Sequence, residues 1–217
     1  MKKLAQITIA LLFTFLTASA QDSPYQKAMK KEIANLMESD SLPVLIKAAN
    51  AFARISTLNP NEWQPYYYGA LSCVFQGLNN GLTPEKRDEV LAQAEELANK
   101  AEAISKNNSE IVALQGFVLM ARLNVDPSSR GQSLSGQVMQ TYGKALALND
   151  KNPRALALLA QMENGMAKFF GSGTEKSCNI AKQSLAIFAT EDEAALKAAM
   201  LPTWGKSLAE KMAKNCQ

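Results

Sequence analysis

The sequence predicts an all-α protein built as an array of helical hairpins, and three observations carry that reading. Apolar residues recur at helical spacing in segment after segment, polar caps and prolines punctuate them, and one turn pattern returns three times. The clearest example is Tyr142 to Gln161, YGKALALNDKNPRALALLAQ. Tyr142, Ala145, Leu146 and Leu148 keep the helical period. Asn149, Asp150, Lys151 and Asn152 break it, and Pro153 stands where a first helical residue tolerates the loss of its N–H. No strand pattern competes, because apolar–polar alternation never persists and Val and Ile are scattered.

Residues 1–20 read as a cleaved signal peptide. Lys2 and Lys3 form a basic start, Ile7 to Leu16 an apolar run, and Thr17-Ala18-Ser19-Ala20 a small-residue cleavage site. The apolar run falls short of the ~20 residues that a membrane span needs. The expected mature chain, residues 21–217, is then a single exported domain, periplasmic or secreted, without membrane insertion. Loss of Lys2 and Lys3 brings the 23 basic and 20 acidic residues close to balance, which argues against a nucleic-acid partner held by bulk charge. A hydrophobic share of 47% supports a buried core rather than disorder.

The elements follow in order. Ser23-Pro24 opens the first helix, with Tyr25, Met29, Ile33 and Leu36 or Met37 on one face. Asp40 or Ser41 caps the second, whose stripe is Leu45, Ala48, Phe52 and Ile55. The third runs from about Trp63 to Phe75, and Gly77 to Gly81 is a loop. Thr83-Pro84-Glu85 starts the fourth with cap, proline and acid in sequence. Ile111 to Leu123 is the fifth, and Asn124 to Gly131 reads as another loop before the sixth helix, which carries Leu134, Val138, Tyr142 and Ala145. The seventh runs from Pro153 to about Phe170, ended by Gly171-Ser172-Gly173. Thr174-Glu175 caps the eighth, Glu191 to Met200 is a short helix or ordered loop, and Pro202-Thr203-Trp204 begins a last helix that ends near Cys216.

Three interhelix turns align: Leu58-Asn59-Pro60-Asn61, Ile104-Ser105-Lys106-Asn107 and Leu148-Asn149-Asp150-Lys151. Six and three residues before each apolar anchor stand Phe52 and Ile55, Ala98 and Ala101, and Tyr142 and Ala145. Ten before it stand Ala48, Ala94 and Val138. This spacing resembles the tetratricopeptide repeat, in which A and B helices stack into a right-handed α-solenoid. The anchors stand 46 and 44 residues apart, against about 34 in that family, and the excess falls in the A-to-B loops. The tail resembles that of a group of exported tetratricopeptide-like proteins of Gram-negative bacteria, in its Gly171-Ser172-Gly173 turn and its Pro202-Thr203-Trp204-Gly205 segment. That resemblance implies a C-terminal capping helix, and the group carries no assigned activity.

Candidate site residues follow from the repeat register. Three consecutive tyrosines, Tyr66-Tyr67-Tyr68, point about 100° apart on a helix, so at least one should leave the core. The register turns Tyr67 toward a concave groove, together with Gln64, Glu110, Arg154 and Gln161. Such a mixed polar groove suits a peptide or chain terminus. Packing of the preceding loop is the competing account for the tyrosines, and plain solvation for the charged residues. If the eighth and last helices are antiparallel, Cys178 and Cys216 meet at one end and a disulfide would staple the terminus; two unlinked thiols are the alternative. Cys73 reads as a small core residue.

With no histidine in the chain, the commonest general base, the Ser-His and Cys-His pairs and mixed Cys/His metal sites are all missing. Neighbouring carboxylates such as Glu95-Glu96 diverge on a helix and read as solvated. The expectation is a non-enzymatic exported scaffold for a protein or peptide partner, without cofactor. The alternative is a binding protein for a small ligand or glycan, using the Tyr66–Tyr68 region. An open groove favours the first, and an enclosed aromatic pocket the second.

Overall fold

A computed structural model describes residues 21–214 and Cys216; the expected signal peptide, residues 1–20, lies outside the described residues. Ten helices follow one another there: α1 Pro24–Glu38, α2 Leu42–Leu58, α3 Trp63–Gly77, α4 Pro84–Ile104, α5 Ser109–Leu123, α6 Pro127–Leu148, α7 Pro153–Phe170, α8 Glu175–Phe188, α9 Glu193–Ala198 and α10 Lys206–Lys214. No strand occurs among the described residues, and no helix among them is long and apolar enough to cross a membrane.

Five of these helices place proline in the first turn behind a polar cap: Ser23, Ser41, Thr83, Asp126 and Asn152. The proline costs nothing there, because that N–H has no partner inside the helix. Ser23 and Gln26 form a reciprocal capping box. At the other end of α7, Gly171 takes φ +66°, and Ser172 N donates to Ala167 O at 2.9 Å, which stops the helix.

Two expected boundaries move. Asp126-Pro127-Ser128-Ser129 is not loop but the cap and first turn of α6. The Asp126 carboxylate accepts from Ser129 N at 3.2 Å and from the Ser128 and Ser129 hydroxyls at 2.7 and 2.6 Å. Pro202-Thr203-Trp204 does not begin the last helix either. Leu201 to Gly205 is without regular structure and α10 starts only at Lys206. The reason is tertiary, since Trp204 is drawn into the core ahead of the helix.

The helices pack in two layers. α3, α5 and α7 form an inner row, each touching the next, and α4, α6 and α8 lie behind them as their hairpin partners. α1 and α2 extend the layers at one end, while α10 closes the other against α7 and α8. The inner helices are accordingly buried almost all round; α3 alone hides Tyr67, Tyr68, Ala70, Leu71, Cys73 and Val74. The outer ones bury a narrow stripe, such as Leu91, Ala94, Ala98 and Ala101 on α4.

The aligned positions share one environment, the core. Ala48, Phe52 and Ile55, then Ala94, Ala98 and Ala101, then Val138, Tyr142 and Ala145 are all buried. The residues expected as apolar anchors are not: Leu58 is 81% exposed, and Ile104 and Leu148 are each 38% exposed. Each is the last residue of its helix, three residues beyond the last of the aligned buried positions. What repeats is the cap, in which Asn59, Ser105 and Asn149 donate their N–H to the carbonyls of Ile55, Ala101 and Ala145.

Close packing inside a hairpin is set by Gly116. A Cβ built on it would collide with Cε1 of Tyr142, so the ring of α6 lies directly on the α5 backbone. We expect Gly116→Ala to destabilise the protein by about 1–3 kcal/mol through overpacking, read as a lowered denaturant midpoint. The disulfide Cys178–Cys216, with Cα atoms 5.5 Å apart, ties the end of the chain to the start of α8. Cys178→Ser should cost about 2–4 kcal/mol, and thermal unfolding with and without reductant measures it.

Candidate ligand-binding cleft

The first turn of α7 is held by a chain of buried polar contacts. Asn152 Oδ1 accepts from Ala155 N at 2.9 Å, its Nδ2 donates to Ser109 Oγ at 2.8 Å, and Ser109 Oγ donates to Ala145 O at 2.8 Å. Ser184 Oγ donates to Pro153 O at 2.7 Å from α8. Four helices thus fix the backbone that carries Arg154.

The Arg154 guanidinium, 4% exposed, faces two carboxylates. Its Nε donates to both oxygens of Glu110 at 3.0 and 2.9 Å. Nη1 and Nη2 donate to Glu191 at 3.2 and 2.5 Å, and Nη1 also reaches Trp204 O at 3.5 Å. The guanidinium carbon stands 5.5 Å from the centre of the Phe188 ring. Burial pushes the Glu110 carboxyl above its usual range, and the adjacent guanidinium offsets this only in part because Glu191 shares it. Burial disfavours the charged arginine as well, but Glu110 and Glu191 together hold it protonated.

From this knot the chain runs over the inner row. The Trp204 ring stacks on Phe117, centroids 5.6 Å apart, and Phe117 meets Phe75 edge-on at 6.3 Å. Trp204 Nε1 donates to the Tyr67 hydroxyl at 2.9 Å. Gly205 follows at φ +101°, and a Cβ there would stand 3.1 Å from Arg154 Cγ and 3.2 Å from Phe188 Cζ. Only glycine both adopts that backbone and leaves room for the arginine stem.

Between this segment, α1 and the ends of α3 and α5 lies a cleft of about 1360 Å³. Ile33, Met37, Phe75, Leu78, Phe117 and Trp204 supply its apolar walls. Lys30, Lys197 and Lys206 line it alongside Glu38, Asp40 and Glu193, so its charge balances. Lys30 pairs with Asp22 and Lys197 with Glu193, each at 2.6 Å. The cleft is wider than a typical small-molecule pocket of about 300–1,000 Å³, with one aromatic and apolar side and a charged rim.

The five residues expected on the groove separate. Tyr67 does not face it: the ring is fully buried, and burial with the nearby Glu110 charge pushes its hydroxyl far up, so it remains a neutral hydrogen-bonding group. Arg154 is likewise enclosed, and Glu110 is bound to it. Gln64 is half-buried on α3, its Oε1 without a hydrogen-bond partner. Of the five, only Gln161 lines the cleft. The inner-row surface expected to receive a peptide is covered by the chain's own tail. Tyr68 is buried too, stacked on Phe52 at 5.6 Å, so the Tyr66–Tyr68 run is mainly core.

The residues that do form the cleft walls escaped the sequence reading. Phe75 and Phe117 look like ordinary core residues in their helices. Trp204 stood out beside Gly205 but read as a helix start. The signal was there in Gly205, since glycine right after a Pro-x-Trp segment marks a backbone that leaves the helical region.

The chain is similar to the HusA haemophore from Porphyromonas gingivalis, at 28% identity and a TM-score of 0.78, with 91% of this chain and 94% of that chain covered. No protein-family model matches it, and no curated protein matches it.

Replacing Tyr67 by Phe tests how the tail is held. Loss of the hydroxyl leaves the buried Trp204 N–H without an acceptor, and a cost of about 1–3 kcal/mol is expected. Denaturant unfolding followed by tryptophan fluorescence measures it directly.

Proposed function

We propose that this chain is a non-enzymatic exported binding protein that carries haem, or a related flat apolar macrocycle, in the cleft between α1 and the tail. The observation that carries this reading is the aromatic set Phe75, Phe117 and Trp204 on one wall of a large cleft, in a chain similar to a haemophore. Flat π-systems bind through faces and edges; Phe75 is the part-exposed ring of the set, and Phe117 and Trp204, stacked on each other and nearly buried, back it. The absence of histidine from the whole chain removes the commonest protein ligand for haem iron. Affinity in this reading therefore rests on apolar contact with the macrocycle, to which Met37 and Met200 of the lining would add their thioethers.

Support for a protein or peptide scaffold is weaker. A peptide would have to displace Trp204 from Phe117 and Tyr67 to reach the inner row. The Glu110–Glu191 pair does not revive a carboxylate enzyme either, because Arg154 bridges the two and neither lines the cleft.

Titration with haem, followed by its absorbance band, tests the proposal. Saturable one-to-one binding is expected, weakened about tenfold, or about 1.4 kcal/mol, by Phe75→Leu or Phe117→Leu. No binding by the native chain, or equal binding by both variants, refutes it.

A further inference from the structure

One wall of the cleft is attached unlike the rest. Residues 192–203, which contain α9, contribute Glu193, Lys197, Ala198, Met200, Leu201 and Thr203 to the lining. α9 has no buried residue. The hydrogen bonds of this stretch close within it: Ala195 N to Asp192 Oδ1, Leu196 N to Asp192 O, Ala199 N to Ala195 O, Met200 N to Lys197 O and Leu201 N to Leu196 O. Its ion pair, Lys197 to Glu193, is internal as well. Met200 and Pro202 are buried and hold the C-terminal half against the body, whereas α9 itself stands free of the core.

Both flanks of the stretch converge on one side chain. Glu191, immediately before it, accepts from Nη1 and Nη2 of Arg154 at 3.2 and 2.5 Å. Trp204, immediately after it, accepts through its carbonyl from Nη1 at 3.5 Å. The guanidinium is in turn held by Glu110 on α5. A planar fork with five donors is suited to gripping two acceptors from different segments at once.

We infer that Arg154 is a positioning residue for the cleft: it clamps the two ends of a strap formed by residues 192–203, and the strap retains whatever the cleft holds. This rests on the ligand-carrying reading proposed above. Ligand entry and release then occur by movement of α9, while the Glu191 and Trp204 ends stay fixed. Loosening one end should speed release more than it slows capture, because the clamp acts on the closed state.

Glu191→Gln is the informative variant. It preserves the shape of the side chain, removes one of the two negative charges shared by a single arginine and leaves the Arg154–Glu110 pair matched. The amide keeps one acceptor for the fork but sets a donor against the other Nη, so a small drop in the unfolding midpoint is expected. Haem release from the full chain should quicken about tenfold, and amide exchange should rise over residues 192–201 with the rest of the chain unchanged. If the native chain binds haem and the variant releases it at the native rate, the clamp is refuted. If exchange rises throughout the chain rather than over residues 192–201, Glu191 serves the fold alone and the clamp is again refuted. If the native chain does not bind haem at all, the ligand reading fails separately, and exchange over 192–201 still decides whether Arg154 holds the strap.

Discussion

A nearly buried guanidinium is the constraint on which this architecture turns. An arginine removed from water must be neutralised and its donors satisfied, or its burial costs several kcal/mol. Arg154 meets that demand by drawing on parts of the chain that are far apart in sequence. Glu110 comes from α5, Glu191 from the turn after α8, and the Trp204 carbonyl from the tail. Burial raises the proton affinity of Glu110, and the second carboxylate, Glu191, adds to that rise against the pull of Arg154. The tail is held where it lies because its carbonyl and the carboxylate ahead of it complete that set.

The consequence is a helical array that fills its own inner face. In an open array the inner row presents side chains to solvent and to partners. Here Trp204 takes that place, with its ring on Phe117 and its N–H on the Tyr67 hydroxyl. What remains accessible is a cleft toward α1, roofed by a short helix with no anchorage of its own. A wall that is aromatic, apolar and balanced in charge selects by shape and stacking rather than by electrostatic steering. That is the physical link between the packing and the proposed ligand-carrying role.

The disulfide acts at a distance from this cleft but on the same segment. Cys178 and Cys216 bind the last residues to the start of α8, so α10 is tied at its far end while Gly205 sets its near end beside Arg154. The tail between Arg154 and Cys216 is therefore restrained at both ends. Its sharp departure at Gly205 depends on a positive φ that other residues adopt at a cost.

Local chemistry was enough to read most of the helices. Ser23, Thr83, Asn152 and the prolines behind them announce helix starts because the first-turn N–H groups need acceptors, and that need is met within a few residues. The buried stripes at Phe52 and Ile55, Ala98 and Ala101, and Tyr142 and Ala145 follow from the 3.6-residue period alone, as does the two-layer stacking they imply. The site did not follow in the same way. Tyr67 and Arg154 carry polar groups that either face water or find partners inside, and sequence spacing is silent between those outcomes. Only the fold brought Trp204 to the one and Glu110 with Glu191 to the other, across separations of 137, 44 and 37 residues. Periodicity governs which face of a helix is apolar, but the partner of a buried charge is chosen by the path of the whole chain.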